Sequence, residues 1–178
     1  MKTLIIYTSQ TGFTKKYAEW IAESVGADLL DLKEAKKKND AFFASYEAIV
    51  YGGWAMAGNL VKVKWFLEKA VSWKNKRLAI FCVGGSPDDN PDVAGWLHQV
   101  LTDEQRTYIK AFYCQGGFAY EKMSAASRLA MKMFVGALKK KKDATDAEKE
   151  MVNRISASYD ISDISYIEPI VAYLQSEK

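Results

Sequence analysis

The feature that most constrains this fold is a repeating unit: a short apolar run, a turn of glycine or hydroxyl residues, then an amphipathic stretch. Leu4 to Thr8 ends in Thr8-Ser9, and Ala48 to Tyr51 ends in Gly52-Gly53. Leu78 to Val83 ends in Gly84-Gly85, and Ile109 to Cys114 ends in Gln115-Gly116-Gly117. Leu29, Leu30 and Leu32 suggest one further strand, followed by a charged connection from Lys33 to Asp40. Runs this short and apolar read as strands buried on both faces. Between them, Ala18, Ile21, Ala22 and Val25 recur at helical spacing over about Thr14 to Val25, and Gly26 is a natural stop. Val63, Phe66, Leu67 and Ala70 do the same over about Leu60 to Val71, and a further helix is expected from Asp92 to Leu101. Alternating strands and helices predict an α/β fold with a parallel sheet, and right-handed crossovers place helices on both faces. All four turns then share the carboxyl edge, where open α/β sheets bind ligands.

Composition narrows the classes. Apolar residues make up 49% of the 178, enough for a packed core in one domain. No run approaches the roughly 20 apolar residues that span a bilayer. The apolar start, Leu4-Ile5-Ile6-Tyr7, is too short for a signal-peptide core, which predicts a cytoplasmic chain. Cys82 and Cys114 sit inside apolar runs as buried thiols, and His98 has no second histidine nearby, so no metal site is expected. Net charge is +3, yet Lys122, Arg128, Lys132 and Lys139 to Lys142 put seven positive charges in one acid-free segment, so the remainder carries −4.

The first turn carries the chemistry. Ser9-Gln10-Thr11-Gly12-Phe13-Thr14 places three hydroxyls and a glycine between a buried strand and a helix N-terminus. Unpaired N–H groups and a partial positive charge there suit a phosphate. With no lysine in the turn, a monophosphate fits better than a hydrolysable triphosphate. The G-x-x-x-x-G-K-[ST] and G-x-G-x-x-G patterns are absent. The alternative for this turn is a plain helix cap through Thr11 or Thr14.

These residues resemble the flavodoxin family, whose pattern after the first strand is [ST]-x-T-G-x-T, and the likeness extends over nearly the whole chain. Flavodoxins are doubly wound and hold FMN where their strand order reverses. The resemblance implies a three-layer, flavodoxin-like fold with a five-stranded parallel sheet in the order 2-1-3-4-5. It gives the FMN phosphate to the Ser9–Thr14 turn: Ser9, Gln10, Thr11, Gly12, Phe13 and Thr14. It gives the flavin ring to Gly53, Trp54, Ala55, Met56, Ala57, Gly58 and Asn59, and to Val83, Gly84, Gly85 and Ser86. Trp54 and Met56 suit a flat apolar wall, and Gly58 permits the peptide rearrangement by which family members bond the reduced flavin. The second loop departs from electron-carrier flavodoxins: Gly84 to Pro91 holds no aromatic. The outer ring face is then either open or covered by Phe118 or Tyr120.

A minimal flavodoxin passes from its fifth strand straight into the last helix, whereas here residues of about 115–162 intervene within a single domain. A basic helix is expected from Ser124 to Lys142, a polar one within 143–155, and the last within 163–176, with Pro169 near its start or at a break. Ala130, Met133, Phe134, Ala137 and Leu138 form a helical apolar stripe. That helix either packs on the core or docks, through Lys139, Lys140, Lys141 and Lys142, to an anionic membrane or an acidic protein. Gln115 to Tyr120, followed by Met131-Lys132-Met133, is similar to the insertion of flavodoxin-like protoporphyrinogen oxidases, which pass electrons from FMN to a quinone. The expected function is FMN-dependent electron transfer or oxidoreduction, with a redox protein or a quinone as partner and no nucleic acid. The alternatives are a membrane-peripheral flavin dehydrogenase and a non-redox binding module. A signalling receiver, which shares this sheet order, is the remote reading, because Tyr7-Thr8-Ser9 and Tyr51-Gly52-Gly53 stand where its acids are required.

Overall fold

A computed structural model of the protein describes residues 1–56, 58–86, 91–140 and 146–176. Five strands form its parallel sheet: β1 (Thr3–Tyr7), β2 (Asp28–Asp31), β3 (Ala48–Met56), β4 (Arg77–Gly84) and β5 (Ile109–Gln115). Counted this way their order is 2-1-3-4-5, as expected, and every neighbouring pair is parallel. The helices of eight residues or more are α1 (Phe13–Val25), α2 (Val63–Ala70), α3 (Pro91–Gln99), α4 (Ala125–Lys140), α5 (Asp146–Ile155) and α6 (Glu168–Gln175). Gly26 ends α1 in a left-handed conformation, and Pro169 stands in the first turn of α6.

Alternation along the strands divides the core. Ile5, Val50, Phe81 and Cys114 point into one layer with Tyr17, Ala18 and Ile21 of α1 and Ile170 and Leu174 of α6. Leu4, Ile6, Ile49, Tyr51, Ile80 and Cys82 point into the other, with Phe66 of α2 and Trp73. Both cysteines are free and fully buried, and burial pushes both thiols up from their ordinary pKa.

Two expectations about boundaries are corrected. β3 runs on past Gly52-Gly53 to Met56, because Gly52, Gly53 and Trp54 still pair with Phe81, Cys82 and Val83 of β4. A Cβ on Gly52 would overlap the Phe81 ring, so this glycine serves the packing of Phe81. The charged connection from Lys33 to Asp40 is partly helical. Asp31 accepts from the Lys33 N–H (2.8 Å) to cap Leu32–Ala35, which takes Leu32 out of the strand, and Asn39 accepts from the Phe42 N–H (3.0 Å) to cap Asp40–Ala44.

The insertion is closed at its base by a two-stranded antiparallel ribbon, Gly117–Phe118 against Tyr159–Asp160. Above it α4 and α5 share a small core of Val135, Val152 and Ile155, joined by Met131, Leu138 and Phe118. The expected apolar stripe is therefore not the packing face. Of its members only Leu138 joins this core, while Met133 is 68% and Phe134 48% exposed. Helix α4 offers two apolar faces, and α5 takes the one carrying Met131, Val135 and Leu138.

Candidate functional site

The sheet register sets the geometry of the carboxyl edge. Tyr7, Gly52, Phe81 and Phe112 lie in one row across β1, β3, β4 and β5. Beyond that row the Thr8 N–H donates to the Gly52 carbonyl at 2.9 Å, and the first turn leaves the sheet. Ser9 Oγ accepts from the Gly12 N–H at 3.2 Å, folding the turn on itself and leaving its O–H as a donor. Gly12 is the N-cap of α1 at φ 104°, with no heavy atom within 4 Å of where a Cβ would stand. The conformation and the open space both favour glycine here. Neither Thr11 nor Thr14 caps the helix, so the plain-cap alternative does not hold.

The first intrahelical bond runs from the Lys16 N–H to the Gly12 carbonyl (2.9 Å). Among the described residues, the N–H groups of Ser9, Gln10, Thr11, Phe13 and Thr14 meet no protein acceptor. Five donors around a glycine cap, beside the half-buried Thr11 and the buried Thr14, match the needs of a bound phosphate. Two side chains of the turn are used differently. The Phe13 ring lies 3.0 Å from where a Cβ on Gly117 would sit. Gln10 Nε2 donates to the hydroxyls of Ser124 (3.3 Å) and Ser127 (3.1 Å), tying the turn to the start of α4.

The two expected ring loops differ from each other. Gly53, Trp54, Ala55 and Met56 lie in β3, which folds back through Gly58 onto Asn59–Leu60; Ala57 lies outside the described residues. Trp54 is half-buried, and Ala55, Met56, Gly58 and Asn59 are exposed. Gly58 has φ 76° and open surroundings. This hairpin offers an apolar wall in Trp54 and Met56 and an exposed turn at Gly58. In the second loop Val83 and Gly84 are buried, and Gly85 and Ser86 half-buried; Pro87 to Asn90 lie outside the described residues. The Tyr113 hydroxyl donates to the Ser86 carbonyl at 2.8 Å.

The insertion closes over that second loop. The Tyr159 hydroxyl donates to the Gly85 carbonyl at 2.9 Å, and a Cβ on Gly85 would overlap Phe118 and lie 2.7 Å from the Tyr159 hydroxyl oxygen. The Phe118 and Tyr159 rings meet at 5.5 Å. Burial pushes the Tyr159 phenol up to about 12, so it stays a donor at neutral pH. Of the two aromatics expected near this loop, Phe118 reaches it, whereas the Tyr120 hydroxyl donates to the Ile155 carbonyl inside the insertion. Tyr159 was not foreseen, since an aromatic in a two-residue strand leaves no periodicity to read. The ribbon is also pinned to α1. Lys16 Nζ reaches Asp160 at 3.1 Å and Ser162 at 2.8 Å. Burial opposes ionisation of Asp160, but hydrogen bonds from Ser162 and Lys16 outweigh it and hold the carboxyl below its usual range.

A family model described as a flavodoxin domain matches residues 4–146. A search of curated proteins finds no match. Among solved structures, a flavodoxin, WrbA-like protein from Agrobacterium tumefaciens is 16% identical, with 87% of this chain and 97% of that one covered at a TM-score of 0.47. Oxidised Flavodoxin 2 from Bacillus cereus is 18% identical, covering 65% and 84% at 0.46. A flavoprotein in complex with FMN from Lactobacillus acidophilus is 19% identical, covering 64% and 91% at 0.40.

Proposed function

The chain belongs to the flavodoxin domain family, and from that premise we propose that it holds one FMN at the carboxyl edge of its sheet and works in electron transfer or oxidoreduction. The observation that carries this reading is the first turn: five backbone donors without a protein acceptor among the described residues, gathered around the left-handed Gly12. When bound, FMN supplies one- and two-electron exchange, and the protein supplies placement and electrostatics. The amides of the turn and the hydroxyls of Ser9, Thr11 and Thr14 hold the phosphate. Trp54 and Met56 give the ring an apolar wall, and the exposed backbone at Gly58 meets its polar edge. Tyr159 and Phe118 hold the second loop in place. No acid or base of the protein is needed for the redox step itself.

The purified protein is expected to be yellow and to release FMN, identified by mass, on denaturation. Replacing Thr11 and Thr14 by valine removes two hydroxyls facing a charged group, which weakens FMN binding by about tenfold or more while the circular dichroism stays unchanged. Unchanged affinity in that double variant sinks the phosphate assignment. Anaerobic mixing separates the two redox roles. Fast bleaching by NADH or NADPH identifies an oxidoreductase. Reduction only by a photochemical donor, followed by transfer to an added acceptor protein, identifies a carrier.

A further inference from the structure

The least explained surface of the molecule is the outer face of α4. Leu129, Met133 and Phe134 are 60%, 68% and 48% exposed, and Ala126, Ala130 and Ala137 lie exposed on the same face. At 3.6 residues per turn these six positions make one continuous apolar stripe along a helix of 16 residues, about 24 Å long. Arg128, Lys132 and Lys139 are exposed along one flank of the stripe, and the exposed Lys140 stands at its C-terminal end. The opposite flank is the seam with α5. An apolar stripe with a basic margin is the pattern of a helix that lies in the plane of a lipid interface.

We propose that α4 docks this protein onto an anionic lipid bilayer, with Leu129, Met133 and Phe134 entering the headgroup boundary and the four bases meeting lipid phosphates. Three observations favour a bilayer over a protein partner. The stripe is a convex ridge, which fluid lipid accommodates without a matching groove. Its exposed side chains are leucine, methionine, phenylalanine and alanine, the apolar types that enter a lipid boundary, with none of the tyrosine or tryptophan enriched at protein-interface hot spots. The charge is also concentrated: segment 122–142 carries seven positive charges and no acid, whereas the rest of the chain sums to −4, so an anionic surface attracts this segment in preference to the rest. The Gln10 bonds to Ser124 and Ser127 join the start of α4 to the first turn. Docking therefore brings the carboxyl edge of the sheet close to the lipid surface, within reach of a lipid-soluble electron partner. The docking itself does not depend on the flavin reading, whereas that consequence does.

The test is co-sedimentation with vesicles of phosphatidylglycerol in phosphatidylcholine, against phosphatidylcholine alone, for the protein as purified and after flavin is stripped. Binding is expected only with the anionic lipid, in both forms, and weaker at 0.5 M salt. A base at an anionic leaflet contributes about fivefold in affinity, so Lys132→Glu/Lys139→Glu/Lys140→Glu is expected to lose at least tenfold. Leu129→Ser/Met133→Ser/Phe134→Ser lowers binding while keeping the salt dependence, and a Met133→Trp reporter shifts its emission to the blue on anionic vesicles. All these positions are exposed, so circular dichroism should match the parent. Equal binding to neutral and anionic vesicles, or binding untouched by both triple variants, overturns the proposal. So does self-association without lipid that the serine variant abolishes, which makes the occupant a second copy. Tight binding to an acidic protein with none to vesicles overturns it as well.

Discussion

The parallel-sheet body and the insertion that interrupts it are built on opposite terms. In the body, β1, β3 and β4 are covered on both faces, and Ile5, Ile6, Val50 and Phe81 are fully buried. Among the described residues, the insertion has three buried residues in its own core and leaves larger apolar side chains in the open. The body thus supplies its own stability, while the insertion borrows order from it through the Gly117–Phe118 ribbon, the Tyr159 and Lys16 bonds and the Gln10 bridge. Among the described residues, the segment that closes over the second loop is therefore held by few fully buried side chains of its own. Elements that move or bind are drawn from such low-stability regions.

Truncation separates the two regions most strongly. Phe66→Ala empties a fully buried ring site beneath Tyr51 and Trp73 and is expected to cost about 3–5 kcal/mol of global stability in urea unfolding. Val135→Ala, in the core of the insertion, is expected to cost about 1 kcal/mol and to raise hydrogen exchange in α4 and α5 alone. Equal global losses would show that the two regions unfold as one unit. Tyr159→Phe comes next. It deletes the bond to the Gly85 carbonyl and is expected to cost about 1 kcal/mol, read as faster exchange at Gly117 and Phe118 with β1 unchanged.

The smallest effect is on acidification. The Asp160 carboxyl is held below its usual range in the folded protein, so its ionised form stabilises the ribbon. That contribution is whole above the unfolded value near pH 3.9 and is lost as pH falls through the lower folded value. Asp160→Asn is expected to remove this acid-side loss and to leave β1 exchange unaltered. A parent ribbon equally protected at pH 7 and below pH 3 would mean that the Lys16–Asp160 pair ties nothing.

Much of the body was legible in the sequence. Short apolar runs ending in Thr8-Ser9, Gly52-Gly53, Gly84-Gly85 and Gly116-Gly117 announce strands, because continuous apolarity over so few residues, closed by glycine or hydroxyl turns, suits a strand buried on both faces. The Ser9–Thr14 turn was legible for the same local reason: helix initiation leaves backbone donors bare, and small hydroxyl residues keep them accessible. The insertion was far less so. Its helices are visible as periodicity, but α4 is apolar on two faces, and a helical wheel cannot say which one a neighbour will cover. Tyr159 was hidden because its role depends on a pairing with Phe118 forty-one residues earlier in the chain. Lys141 and Lys142, also expected at the docking surface, lie outside the described residues.

By itself, then, the sequence determined whatever depends on neighbours a few residues apart: the strands, the amphipathic helices and the anion-ready turn. Tertiary structure alone decided how far β3 runs, which face of α4 meets solvent, and that Tyr159 and Phe118 reach Gly85. The physical reason is range. Backbone conformation and hydrophobic period are set by local sterics and burial, whereas strand length, helix facing and loop closure are set by partners the chain meets only after it has folded.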